Sequence, residues 1–136
     1  MNTRSVFACT LIVCLGLGLV TSACGAVESV QAFRQAGLDF MTALKEGNYD
    51  GAYAQFAPEL QQEVGDAGAL RSMIEDNQAQ PAEWSFTSFE TSTKEGQQTA
   101  KLEGNVTYQD GRQGAVTLEL LKVGEEWKLT SFNLTW

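Results

Sequence analysis

The first half of the chain carries apolar residues at helical spacing. Between Val27 and Glu46, apolar or small residues recur at steps of three and four, which predicts one stripe of an amphipathic helix that stops at Gly47. The stripe consists of Val30, Phe33, Gly37, Phe40, Met41 and Leu44.

Three shorter helical segments are predicted next, each with a residue suited to its start. Asn48 and Asp66 can cap helices, and Pro58 fits a first helical turn. The last helix should end before Pro81. The apolar positions are Tyr49, Tyr53 and Phe56 in the first of these segments, and Leu70, Met73 and Ile74 in the last.

After Pro81 the apolar period changes from helical spacing to two, which predicts strands. Trp84 and Phe86 alternate with polar residues, and Phe89 breaks the phase, which indicates a bulge or a strand that is apolar on both faces. Residues 100–108 alternate cleanly and predict a half-buried strand, with Ala100, Leu102, Gly104, Val106 and Tyr108 on one face and Lys101, Glu103, Asn105 and Thr107 on the other.

Two turn signals divide the rest of the chain into returning strands. Asp110-Gly111 predicts a hairpin turn before a strand over 116–123, and "GEE" predicts the turn before a last strand over 127–136. Helices followed by an antiparallel meander predict an α+β fold, with N-terminal helices packed on a curved sheet.

The N-terminus has the layout of a secretory signal. Arg4 gives a positive start without acidic residues, and an apolar run follows over 6–20. A membrane span is the alternative, but about 15 residues cover only about 22 Å of a hydrocarbon core of about 30 Å.

The end of this run, "TSAC" at 21–24, resembles the lipobox of bacterial lipoproteins. The resemblance implies a signal peptide over 1–23, a mature domain over 24–136, acylation (palmitate) of Cys24, and a lipid-anchored location in the cell envelope, facing away from the cytoplasm. Thr21 departs from the Leu, Val or Ile that the motif prefers, and ordinary cleavage near Ala26 is the alternative.

Composition limits the function classes. The chain has 9 basic and 17 acidic residues, a net charge of −8, and loss of Arg4 with the signal makes the balance one unit more negative. This opposes binding to nucleic acid and to anionic lipid. Histidine is absent, and no phosphate loop or calcium loop occurs, so no metal and no cofactor is predicted.

The order of elements resembles the cone-shaped nuclear-transport-factor-2-like superfamily, including SnoaL-like domains of unknown function. The residues that carry the resemblance are a first helix ending in "ALKEGNYDGAYAQFAPEL" and a terminal hairpin "VTLELLKVGEEWKLTSFNL". The resemblance spans roughly 27–136. It implies a space between helices and sheet that can hold ligands, and it implies that some members dimerise through the sheet. Isomerase members use a carboxylate with tyrosine, for which this chain offers Asp39, Tyr49, Tyr53, Glu103 and Tyr108.

The leading hypothesis is a non-catalytic module that binds a small apolar ligand or an envelope protein. The alternatives are an isomerase- or dehydratase-like enzyme and a structural domain that forms a homodimer through its sheet. Aromatic residues can line a pocket or fill the core. The candidate pocket residues are Phe40, Tyr53, Trp84, Phe86, Tyr108 and Trp127.

Overall fold

Helices precede the sheet along the chain, as the sequence predicts. The computed structural model describes residues 30–136, so the predicted signal peptide and Cys24 lie outside the described residues. Residues 30–46 are helical (α1), followed by α2 (Tyr49–Ala54), α3 (Pro58–Val64) and α4 (Ala67–Asp76). The strands are β1 (Pro81–Lys94), β2 (Gln97–Tyr108), β3 (Gln113–Val123) and β4 (Glu126–Leu134).

Local side-chain chemistry sets the helix boundaries. Gly47 ends α1 with a φ of 73°, a backbone region that favours glycine. The side chain of Asn48 accepts a hydrogen bond from a backbone N–H of α2, and Asp66 accepts one from Ala69 N–H at 2.7 Å at the start of α4. Pro58 occupies the first turn of α3. The predicted helix-start residues are therefore confirmed.

The four strands form one antiparallel sheet in the order β1-β2-β3-β4. Its inner face packs against the helices, and α1 comes so close that a Cβ at Gly37 would overlap the side chain of Leu102. Of the predicted inner-face residues of β2, Ala100, Leu102, Val106 and Tyr108 are buried and Gly104 is half-buried. They meet apolar partners across the sheet, as in the pairs of Leu102 with Leu118 and Ala100 with Leu120.

Both edge strands contain a bulge. In β1 the register shifts between Phe86 and Ser88, so that Phe86 and Phe89 both lie on the inner face although they are three residues apart. This confirms the bulge predicted from the phase of Phe89. In β4 a second shift places both Leu129 and Phe132 on that face. Such bulges increase the local twist and bend of a sheet.

The segment after α2 differs from the prediction, because α2 ends at Ala54 and does not include Phe56. Phe56 instead forms a bridge to β4. Ala57 N–H donates to Leu129 C=O at 2.7 Å, and Leu129 N–H donates to Gln55 C=O at 2.8 Å. These bonds cover the middle of the outer edge of β4.

Helix α1 runs along the length of the sheet. Near its start, Phe33 packs against Trp127 at 5.5 Å between ring centroids, close to the β1–β2 and β3–β4 turns; we call this the turn end. Further along, Phe40 packs against Phe132 at 5.5 Å. At the opposite end, which we call the distal end, Gln80 Nε2 donates to Lys45 C=O at 3.1 Å.

Candidate functional site

A groove of about 230 Å³ lies at the distal end between α4 and the last part of β4. We call it the α4–β4 groove. Most of its lining residues are apolar, and the other two are asparagines. The lining residues are Met73, Ile74, Asn77, Ala79, Phe132, Asn133, Leu134 and Trp136.

Two large apolar side chains of this groove are open to solvent. Met73 is 47% exposed and Trp136 is 56% exposed, whereas Ile74 is buried. Phe132 is half-buried and stacks on Phe56 with 5.5 Å between ring centroids. The groove therefore combines a wall anchored in the core with an exposed apolar rim, which is the pattern of a binding surface.

Arg112 holds one side of the groove in place. Its Nη2 donates to the carbonyls of Asn77 at 3.0 Å and Gln78 at 2.9 Å, just after α4. The guanidinium carbon lies 5.1 Å from the ring centroid of Trp136 and 5.6 Å from that of Tyr108. The cation therefore joins the end of α4 to the aromatic rim through hydrogen bonds and cation–π contacts.

Asp110 in turn positions Arg112. Its Oδ1 accepts the backbone N–H of Arg112 at 3.0 Å, and its Oδ2 accepts Nε at 2.6 Å. The backbone hydrogen bond, supported by the guanidinium, holds the pKa of Asp110 below its usual value. Burial raises the pKa of Tyr108, whose hydroxyl donates to Thr135 C=O at 2.7 Å. The contacts of Asp110 with Arg112 and the hydrogen bond of Tyr108 with Thr135 both help to position the segment around Trp136.

The backbone of β4 beside the groove has hydrogen-bonding groups that point away from the sheet. Thr135 N–H donates to Ala115 C=O at 2.9 Å, so the backbone N–H and C=O groups of Asn133 and Thr135 point towards β3. In an antiparallel pair the intervening residues, Phe132 and Leu134, direct their N–H and C=O groups to the open edge. Within residues 30–136, none of these edge groups has a hydrogen-bond partner.

The predicted pocket residues are not gathered around this groove. Phe40 and Tyr108 are fully buried, and the other four, Tyr53, Trp84, Phe86 and Trp127, are half-buried. Phe40 fills space beside Phe56 and Phe132, while Tyr108 contacts Trp136 edge-on at 6.1 Å between ring centroids. That these residues line one ligand pocket stays a prediction.

The half-buried members of that set have separate surroundings. The hydroxyl of Tyr53 lies 3.0 Å from the Gln61 carbonyl and 2.9 Å from the Gly65 carbonyl, and its one proton is shared between these two acceptors at α3. Trp84 borders a shallow surface depression shared with Lys45. Trp127 packs at the turn end, and Phe86 lies on the inner face beneath α1.

The carboxylates considered for catalysis lie apart from one another. Asp39 is exposed on α1 and accepts a hydrogen bond from Gln35 at 2.8 Å. Glu103 pairs with Lys101 at 2.8 Å on the outer face of the sheet. The Tyr49 hydroxyl is buried, and no described residue bonds to it; burial and then Glu75 raise the pKa of Tyr49. These groups do not form a shared acid–base constellation.

The outer face of the sheet has a depression of about 310 Å³ whose lining residues are mostly polar or charged. Lys101 lies at its centre between Glu90 of β1 and Glu119 of β3. The hydrogen bond to Glu103 is the main cause that raises the pKa of Lys101 above its usual value. This is a solvated network of charges, which resembles ordinary protein surface more than an apolar interface.

Sequence reasoning did not select the groove residues. The sequence names Met73 with Leu70 and Ile74 as the apolar positions of α4; Leu70 and Ile74 are buried, whereas Met73 is 47% exposed. The alternation of Phe132, Leu134 and Trp136 is the signal that was available in the sequence. It marks one face of the last strand but not the helix opposite it.

The fold is that of the nuclear-transport-factor-2-like proteins, an α+β cone with helices against a curved antiparallel sheet. The chain belongs to the family described as domain of unknown function DUF4864, which matches residues 28–135. No curated protein matches the sequence significantly.

Three solved structures illustrate the fold. Aln2 from a Streptomyces species is 19% identical, with a TM-score of 0.54 over 79% of this chain and 89% of that one. A protein of unknown function with a cystatin-like fold from Nostoc punctiforme is 12% identical, with a TM-score of 0.55 over 76% and 87%. A protein designated Rd1NTF2_05, carrying several substitutions, is 14% identical, with a TM-score of 0.54 over 79% and 99%. At these identities the likeness shows the fold alone.

Proposed function

We propose that this protein is a lipid-anchored domain of the bacterial cell envelope that faces outside the cytoplasm and binds a partner without catalysing a reaction. The observation that carries the binding role is the α4–β4 groove, where exposed Met73 and Trp136 border an apolar wall. Contiguous exposed apolar residues with a polar rim are characteristic of binding surfaces.

The surroundings of the ionisable groups favour binding over catalysis. Acid–base catalysis of the isomerase type needs a carboxylic acid whose pKa is changed by burial. Among residues 30–136 no charged side chain is buried. The polar outer face of the sheet likewise favours the groove over sheet-to-sheet pairing as the binding surface.

The anchoring role rests on the sequence around Cys24. An apolar run followed by small residues and a cysteine fits lipidation at that cysteine, and two or more acyl chains give lasting attachment. In the described part of the chain, no helix has both the length and the apolar content to cross a membrane.

Mass spectrometry of the protein from membranes tests the anchor. We expect the natural chain to begin at Cys24 and to carry acyl chains, and we expect Cys24→Ser to lose the lipid and enter the soluble fraction. Cys14→Ser, a change of the same type within the apolar run, serves as the control and should leave processing unaltered. A natural chain of full precursor mass without lipid would contradict the anchor. Native mass spectrometry of the same sample would show any ligand that remains bound.

A further inference from the structure

We propose that the α4–β4 groove binds an extended, apolar and net basic segment of another protein, which adds as a strand to the free edge of β4. The proposal rests on the proposed binding role and gives it a partner class. Strand addition to a sheet edge is a general mode of peptide recognition, in which backbone bonds provide affinity and side-chain pockets provide selectivity.

The backbone beside the groove has the geometry that strand addition needs. Phe132 and Leu134 direct their backbone groups outward, and these groups have no partner among the described residues. Their side chains lie on the inner face and line the groove. An added strand would therefore satisfy the open edge while its own inward side chains contact Met73 and Trp136.

Among residues 30–136, the last part of β4 also lacks the protection found elsewhere on the sheet edges. Edge strands are normally protected by proline, charge, bulges or covering loops. The other edge strand, β1, begins at Pro81, bulges after Phe86 and carries charged residues such as Glu90. The middle of β4 is covered by the loop around Phe56. Residues 129–136, in contrast, contain no charged side chain.

Charge favours a foreign basic segment over a second copy of this chain. The net charge is −8, so two copies repel each other over their whole surfaces. The same net charge attracts a segment that carries lysine or arginine between its apolar residues. In an added strand these basic side chains point to the outer face of the sheet, where Glu119 of β3 lies beside Ser131 of β4.

Amide exchange on the full chain in detergent micelles tests the proposal. The probe is a short synthetic peptide in which valine alternates with lysine, and its control has glutamate in place of lysine. We expect the lysine peptide to slow exchange at the Phe132 and Leu134 amides by about tenfold or more. The Leu129 amide, already bonded to Gln55, should not change. The glutamate peptide should bind much more weakly.

Two substitutions and one control substitution locate the binding. Met73→Ser should lower the affinity for the lysine peptide by about tenfold, since an exposed apolar contact is lost, whereas Val123→Ser should leave this affinity unchanged. Met73 and Val123 are each 47% exposed, but Val123 lies at the turn end. Leu134→Pro removes an outward N–H that β3 does not use, so it should also weaken binding, provided its melting curve remains cooperative.

The possible results separate the two proposals. Protection of Phe132 and Leu134 without peptide, rising with protein concentration, would indicate a second copy as the occupant and overturn the inference. Equal binding of both peptides, or binding that leaves these two amides unchanged, would also overturn it. Acyl chains at Cys24 without peptide binding would contradict only the groove. Peptide binding to a chain without lipid would contradict only the anchor.

Discussion

Replacing Phe40 tests whether the space between helices and sheet is filled. The ring is fully buried, with its centroid 5.7 Å from that of Phe56 and 5.5 Å from that of Phe132. Truncation of a buried phenylalanine to alanine costs about 3–5 kcal/mol, and each aromatic pair contributes about 0.5–1.5 kcal/mol. We therefore expect Phe40→Ala to lower the free energy of unfolding by about 4 kcal/mol.

Urea unfolding followed by circular dichroism measures this loss. With a slope of about 2 kcal/mol per molar urea, the midpoint should fall by about 2 M while the slope stays constant. The matched control is Phe89→Ala, because Phe89 is 52% exposed on the same face and should cost about 1 kcal/mol. If both variants lose the same small amount, the Phe40 ring borders open space and the packing argument is refuted.

Two further predictions concern pH. Because the pKa of Asp110 is lowered in the folded protein, its charged form stabilises the fold above the usual pKa of 3.8, and this contribution disappears as pH falls through the lowered value. In thermal melts from pH 2 to 7, Asp110→Asn should therefore be less stable than the natural chain above about pH 5. At the acidic end its stability should approach that of the natural chain. Because the chain contains no histidine, melting temperature should be nearly constant from pH 6 to 8. A carboxyl group that titrates near pH 7 in an NMR experiment would instead favour the isomerase-like alternative.

Local patterns predict most of the fold because each element carries its own signal. Capping by Asn48 and Asp66 depends on side chains that bond within one helical turn, and the period-two run to Tyr108 depends on one strand. The bulge in β1 was visible because Phe89 departs from the phase of Phe86. Such features need no knowledge of distant contacts.

The candidate site could not be predicted in the same way, because it depends on elements that meet only in three dimensions. Met73 looks like a core residue in the sequence, and its exposure follows from the orientation of α4 about its own axis. Arg112 follows a turn signal, yet its contacts reach back to Asn77 and Gln78. Phe56 continues the helical spacing in the sequence, but α2 ends before it and Phe56 instead forms a bridge to Leu129.

The course of α1 along the sheet connects the core with the candidate site. Helix α1 covers about 25 Å at about 1.5 Å per residue, and it contacts β4 through Phe33 with Trp127 at the turn end and through Phe40 with Phe132 further along. Phe132 also lines the α4–β4 groove. One side chain therefore belongs both to the packing of α1 and to the wall of the groove, so the groove cannot change shape at Phe132 without disturbing a contact that holds α1 to the sheet.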